Sequence, residues 1–233
     1  MANPSQGQVL EHRTAVGPQL YRILRDRIIR GDFAPGARLS ETEIASIYAV
    51  SRQPVREAFI KLAEEALVEV RPQRGTFVGL ISVPAVTTAR FIREAVEADI
   101  VRRVAQTADD AAIATLDAQI RTQNALVTAG GEAFMAADEQ FHRTLAEIAG
   151  QGAVADYLEN LKIQMNRVRY ISVRQPSRSR LVAQHTEVVE AIRARDPSRA
   201  EAAMRAHLQE ILVDLPGVVA AHPDFFTSAE LVG

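Results

Sequence analysis

Four residues in the C-terminal two-thirds of the chain carry chemistry that an apolar core does not need. Asp138 and His142 stand four apart, so they share one helix face, and they fall among Phe134, Phe141 and Leu145. His185 lies between Val182 and Val189, and His207 between Met204 and Ile211. A single core histidine is ordinarily a hydrogen-bonded structural residue. Here three of the chain's five histidines lie on apolar stripes together with an aspartate. Imidazoles with a carboxylate suit a borderline divalent ion, with zinc expected first and nickel or manganese as alternatives. Such an ion would also offset the cost of burying these groups. His12 and His222 lie in terminal segments and read as solvated.

A second constellation is Ser51-Arg52-Gln53-Pro54-Val55-Arg56-Glu57-Ala58. Arg52 and Arg56 are also four apart, at the start of a helix whose apolar residues Val55, Phe59 and Leu62 point elsewhere. Two exposed arginines at a helix start can enter a DNA major groove, where each can grip guanine O6 and N7. Ser51 and Thr42 suit phosphate contacts. Arg74 at a hairpin tip can reach a groove or backbone, and Gly75 permits a positive φ there. Standing alone, arginines at this spacing read as a solvated charged face, so the elements around them decide the matter.

Those elements are punctuated clearly. Leu20, Leu24 and Ile28 set a helical stripe that Gly31 can end, and Ala34–Ala37 is a turn. Ser40-Glu41-Thr42-Glu43 is a capping box for a short helix to about Tyr48. Ala49-Val50-Ser51 connects tightly to the arginine-bearing helix, with Ser51 at its N-cap. Two short alternating runs, 67–70 and 76–80, flank Arg71-Pro72-Gln73-Arg74-Gly75, a hairpin signal. Helix, short helix, tight turn, helix and hairpin is the order of a winged helix-turn-helix.

From about 87 to 215 the texture is helical throughout, with breaks at Gly130-Gly131, Gly150-Gln151-Gly152, Gln175-Pro176-Ser177 and Asp196-Pro197. Helical stripes with short loops predict an antiparallel bundle of six to seven helices. The expected fold is therefore mainly α. Its parts are a polar arm (1–17), a DNA-binding domain (18–80), a linker broken by Pro84 (81–86), a helical domain (87–215) and a tail (216–233).

Composition bounds the rest. The 233 residues include 47% hydrophobic and 24% charged residues, ordinary for a globular chain and against disorder. There is no cysteine, which excludes thiolate chemistry, disulfides and cysteine-based zinc sites. No apolar run reaches the ~20 residues of a membrane helix, and a cytoplasmic protein is expected. The net charge is −2, but residues 18–80 sum to +2 and the remainder to −4, a mild basic bias where DNA would bind.

The run from Gly31-Asp32-Phe33-Ala34-Pro35-Gly36 through Ser51–Ala58, then Leu67-Val68 and Arg74-Gly75-Thr76-Phe77-Val78, resembles the N-terminal domain of GntR-type transcriptional regulators. The resemblance covers about residues 18–80. It implies guanine contacts by Arg52 and Arg56 and a wing-tip contact by Arg74-Gly75. Ala66 departs from the pattern, which has glycine there. If that position is left-handed, alanine costs roughly 1 kcal/mol. The C-terminal part resembles the ligand-sensing domain of the FadR-type branch, in which an Asp-x3-His and two later histidines hold a metal. Asp138, His142, His185 and His207 match that pattern. Arg93-Glu94-Ala95-Val96-Glu97 matches the first sensory helix, where the arginine is associated with an effector carboxylate.

The expectation is thus a dimeric regulator that binds a palindromic double-stranded operator and is released by a small carboxylate effector held at Arg93 and the metal. Arg169, Arg174 and Arg180 are weaker candidates for the pocket wall. Two rivals stand beside it. One is a metal-dependent hydrolase fused to a DNA-binding module, although no general base accompanies the histidines as in His-Glu-x-x-His. The other is a metal-free sensor of an acyl or other organic ligand.

Overall fold

The computed structural model describes residues 10, 15–129, 131–172 and 175–227. Most of the expected arm, the terminal residues 228–233 and Arg174 lie outside the described residues. The chain forms two compact units: residues up to Val83 together with the segment from Val219, and Pro84–Val218.

The first unit opens with α1 (Val16–Arg30), so the helix starts inside the segment expected as an arm. Gly31 ends it at φ 85°, with Asp32 N–H reaching the Arg27 carbonyl at 2.9 Å. This is a Schellman cap, in which a left-handed residue lets the following amide satisfy an orphan carbonyl. A two-residue strand, β1 (Arg38–Leu39), precedes α2 (Glu41–Ile47). Ser40 Oγ accepts from Glu43 N–H at 3.3 Å, as the capping box requires. A second Schellman cap, with Ala49 at φ 52°, makes the tight turn into α3 (Arg52–Glu64). Ser51 occupies the N-cap of α3 but makes no side-chain capping bond.

The hairpin follows as β2 (Val68–Arg71) and β3 (Gly75–Val78), paired antiparallel with Val68 opposite Val78. The sheet order is β1-β3-β2. At the wing tip Arg74 N–H bonds the Arg71 carbonyl at 3.0 Å. Pro72 is the first central residue and Gln73, at φ 60°, the second, a type II pattern. Gly75 follows at φ 108°.

Among the described residues the second unit holds seven helices: α4 (Val83–Thr107), α5 (Asp110–Leu126), α6 (Gly131–Ile148), α7 (Gly152–Leu161), α8 (Ile163–Ser172), α9 (Gln175–Arg193) and α10 (Pro197–Ala221). Val104, Leu116, Phe134, Phe141, Val188 and Met204 lie in its continuous core.

Three boundaries differ from the sequence expectation. The boundary between the units does fall within the expected linker 81–86, at Val83/Pro84, but the segment is not irregular: Ile81 is fully buried and bridges Phe226, and α4 already starts at Val83 with Pro84 in its first turn. A proline costs nothing there, because first-turn amides have no helical partner. The tail expected from 216 is mostly ordered. Helix α10 runs through Pro216 to Ala221, carried by Leu215 and Val218 in the core, and a 3-10 turn (Pro223–Phe225) leads to Phe226. The stripe 154–168 is two helices, broken at Lys162, whose buried ammonium pairs with Glu139 on α6.

Candidate DNA-binding face and metal centre

In the first unit, Ser51, Arg52, Arg56, Thr42 and Arg74 are all exposed. Thr42, Arg52, Gly75 and Arg38 line one groove, so the start of α3, the start of α2 and the wing come together. Val55, Ala58, Phe59 and Leu62 anchor α3 from its buried side, which leaves the arginines outward. The structure adds Glu41, which sequence reasoning passed over as a capping-box residue. Its carboxylate meets Arg52 Nη2 at 2.8 Å and Arg56 Nε at 3.3 Å. Those two hydrogen bonds hold the Glu41 carboxyl below its usual range. One acid thus presents both arginines as a preset pair, a geometry suited to reading adjacent base edges. Arg38, on β1, lays its guanidinium against Gly75, where a Cβ would stand 3.2 Å from Arg38 Nε. Ala66 is left-handed at φ 55°, as its departure from the glycine pattern foreshadowed.

In the second unit, α6, α9 and α10 bring Asp138, His142, His185 and His207 together, all buried, with one ligand atom from each within 4.8 Å of the others. Phe141 stacks on the His185 ring at a centroid distance of 4.4 Å and fixes its plane. Each imidazole turns Nδ1 toward an oxygen. His142 Nδ1 lies 2.6 Å from Glu97 Oε2, a close contact that is not aligned as a hydrogen bond. His185 Nδ1 lies 2.7 Å from Gln123 Oε1, and the Gln123 amide nitrogen donates to the Ala137 carbonyl at 3.3 Å. His207 Nδ1 lies 3.2 Å from Gln184 Oε1, and the Gln184 amide nitrogen donates to Glu210 Oε2 at 2.8 Å. A carboxylate only accepts, and an amide whose nitrogen is spent elsewhere presents its oxygen. All three Nδ1 atoms therefore carry the proton.

The consequence is at the other nitrogen. In the tautomer protonated at Nδ1 each ring presents its Nε2 lone pair, and the three Nε2 atoms converge. Nε2 of His207 stands 3.2 Å from Nε2 of both His185 and His142. Protonating His185 and His207 is opposed: burial pushes His185 down to about 3 and, with His185 and His142 as neighbours, His207 well below its usual value. Asp138 adds a fourth donor. Its Oδ2 accepts from Arg169 Nη2 at 2.5 Å, while its buried Oδ1 has no hydrogen-bond partner. Burial alone would raise Asp138, but the Arg169 guanidinium against it holds the carboxyl below its usual range and keeps it ionised. Three lone pairs and a spare carboxylate oxygen form a donor set that fits a divalent ion of the zinc or nickel type.

Arg93 is buried and paired with Glu97, Nε to Oε1 at 2.6 Å and Nη2 to Oε2 at 3.3 Å. Its remaining edge, Nη1, faces Met165 Sδ at 3.9 Å. Arg93, Arg169 and His207 line one pocket together with Met165 and Leu181, while Glu210 and Asp214 mark its acidic side. Of the weaker candidates, Arg169 belongs to this site, and Arg180 is a partly exposed cation pairing with Glu210 and Asp214. Glu97, Gln123 and Gln184, which orient the histidines, had not been assigned from sequence. Glu97 carried a signal as the last residue of the Arg93–Glu97 match, and Gln123 as a polar residue in register with Leu116, Ile120 and Val127.

Comparison with known proteins gives two domain matches. Residues 17–78 match the bacterial regulatory proteins of the gntR family, and residues 89–210 match the FCD domain. The chain is also 40% identical over 214 residues to the HTH-type transcriptional repressor RspR of Escherichia coli K12, covering 91% of this chain and 94% of that one. The chain belongs to the GntR family. It is a DNA-binding transcriptional regulator, not an enzyme, and the hydrolase alternative falls away. Among family members, the HTH-type transcriptional repressor NanR of Enterobacter sp. (strain 638) is 28% identical over 214 residues, covering 81% of this chain and 80% of its own. Among solved structures, a GntR regulator from Rhodococcus sp. RHA1 superposes with a TM-score of 0.71 at 27% identity, over 88% of this chain and 99% of that one. E. coli McbR/YncC shares the fold, with a TM-score of 0.72 at 18% identity, over 88% of this chain and 98% of that one. Among the described residues of this GntR regulator, no helix is long and apolar enough to cross a membrane.

Proposed function

We propose that this GntR regulator is a repressor that binds a palindromic operator as a homodimer and is released by a small carboxylate at a metal-dependent site in its FCD domain. The observation that carries the sensing half is the convergence of three imidazole Nε2 atoms beside the unpartnered Asp138 Oδ1. Repulsion between these donors is a cost that a bound cation turns into coordination. Asp138, His142, His185 and His207 would hold the ion, with zinc expected first and nickel or manganese possible substitutes. A bound ion supplies positive charge and coordination positions beyond the four protein ligands, for carboxylate oxygens.

The chain's own residues do the rest. Glu97, Gln123 and Gln184 keep each ring in the tautomer that presents Nε2. Arg169 holds Asp138 in place from the side away from its free oxygen. Arg93 offers Nη1 to the carboxylate of the effector, in the pocket that His207 also lines. On the DNA side, Arg52 and Arg56 read guanines, Ser51, Thr42 and Arg74 position the backbone, and Gly75 lets the wing approach closely. The repressor names of RspR and NanR support repression. Effector binding acts only through its different affinity for the DNA-bound and free arrangements.

The test is a thermal-shift panel of small carboxylic acids with and without a chelator. The expected result is that at least one acid raises the melting temperature and that the chelator abolishes the rise. Acid-induced shifts that survive the chelator would support the metal-free sensor instead. No response to chelator, metal or acid would make the four residues structural.

A further inference from the structure

We propose that Glu97 links cation and anion binding in the sensor, because one carboxylate holds both Arg93 and the Nδ1 side of His142. This inference rests on the metal-and-carboxylate reading above. Glu97 is buried on α4 and contacts two partners that belong to different ligands. Oε1 takes the Arg93 Nε–H at 2.6 Å, while Oε2 is shared between Arg93 Nη2 at 3.3 Å and His142 Nδ1 at 2.6 Å. In this arrangement the Arg93 charge is spent on Glu97, so an anion gains little by approaching Nη1.

A divalent ion changes the contest for that carboxylate. Coordination at His142 Nε2 draws electron density from the ring and makes Nδ1–H a stronger donor, so Glu97 Oε2 is held more firmly by His142. What His142 gains, Arg93 loses, and its guanidinium becomes free to pair with an anion in the pocket. The charge balance works in the same direction. In the connected network Glu97, Asp138 and Glu139 face Arg93, Arg169 and Lys162, three charges of each sign, with Glu159 joining only at the exposed rim. A dication bound alone leaves this buried network with excess positive charge, and an anion bound alone leaves it negative. The two together come closest to balance, and a dianion closes it. Cation and anion therefore bind with positive cooperativity, and by linkage each strengthens the other by the same factor.

The test uses the full-length protein, with nickel ion as the cation and malonate as the anion. Binding is followed by calorimetry, with free nickel fixed by a metal buffer or removed by chelator. In the wild type, saturating nickel is expected to tighten malonate binding by about 5- to 150-fold. Glu97→Gln keeps an acceptor for His142 and removes the charge. It is expected to weaken nickel by about 10- to 100-fold and, with chelator present, to tighten malonate, so the cooperativity shrinks. This pairing of opposite signs is the signature. Weakening of both ligands, a change in only one, or no change overturns the linkage while leaving the metal-and-carboxylate reading intact. A wild type that takes up no nickel overturns both. Glu97→Asp guards against loosened packing. It keeps the charge and is expected to leave malonate binding in chelator at the wild-type level. Tightening there as well would trace the effect to packing and overturn the proposal.

Discussion

Replacing Ala66 by glycine should stabilise the DNA-binding unit. Helix α3 ends in a full Schellman motif, with Leu67 N–H on the Leu62 carbonyl at 2.9 Å and Ala66 N–H on the Ala63 carbonyl at 3.0 Å. The motif needs a left-handed residue between them, and Ala66 supplies it at φ 55°. An L-residue there costs about 1–2 kcal/mol, because Cβ crowds the following carbonyl. Glycine removes that crowding but loses about 0.5–1 kcal/mol more conformational entropy on folding. Ala66 is exposed, so its methyl group contributes no core packing that would be lost. The net gain is about 0.5–1 kcal/mol, a two- to fivefold change in the opening equilibrium. Native-state hydrogen exchange of peptides spanning 67–78 reads it directly, since those amides belong to the hairpin that the motif launches. A melt should show roughly 2–8 °C for a unit of this size. Ala49→Gly is the internal control: it has φ 52° and the same pair of bonds, to Ser46 and Ala45. Exchange that speeds up in the Ala66 variant would refute the reasoning, because the left-handed alanine would then be worth more than its strain.

Arg52→Ala and Arg56→Ala should each cost about 1–3 kcal/mol on an operator selected from a random library while barely changing binding to a scrambled duplex; equal losses on both, in fluorescence anisotropy, would make them phosphate contacts. Glu41→Gln should lower the ratio of operator to scrambled affinity, because both arginines lose their shared partner; an unchanged ratio would show that Glu41 presets nothing. Burial and then the hydrogen bond to Glu65 raise the Tyr21 phenol from 10.0 to about 12. The folded state thus favours the neutral phenol, so its contribution is complete below pH 10 and is lost as pH rises toward 12; Tyr21→Phe should flatten that alkaline loss in denaturant titrations, and an equally steep loss in the variant would clear Tyr21 of it.

The helix-turn-helix was legible because its signals are local. Gly31 as a cap, the Ser40–Glu43 box and a three-residue turn each act within one helical turn of the chain. Strand β1 was not legible, since two residues have no period; Arg38 and Leu39 become a strand only by pairing with Phe77 and Thr76. Proline misled twice in opposite contexts. Pro84 read as a break but sits in a first turn, where its missing N–H is no loss, and Pro216 read as an end although Leu215 and Val218 are buried around it and the helix continues.

The candidate site shows the same division more sharply. Asp138 and His142 were visible as a pair because four residues is a helical repeat, and each further histidine stood out against its own apolar stripe. What orients them was hidden for a physical reason. An imidazole is useful as a ligand only in one tautomer, and the tautomer is chosen by whatever oxygen meets Nδ1. For His185 that oxygen comes from 62 residues away, and for His207 from 23. Even that oxygen is defined only by a third group, since Gln123 and Gln184 present oxygen rather than nitrogen because Ala137 and Glu210 accept from their amides. A sequence can carry the four donors in its pattern, but the proton that makes them donors is placed by a chain of contacts two residues deep, and that chain exists only once the helices have packed.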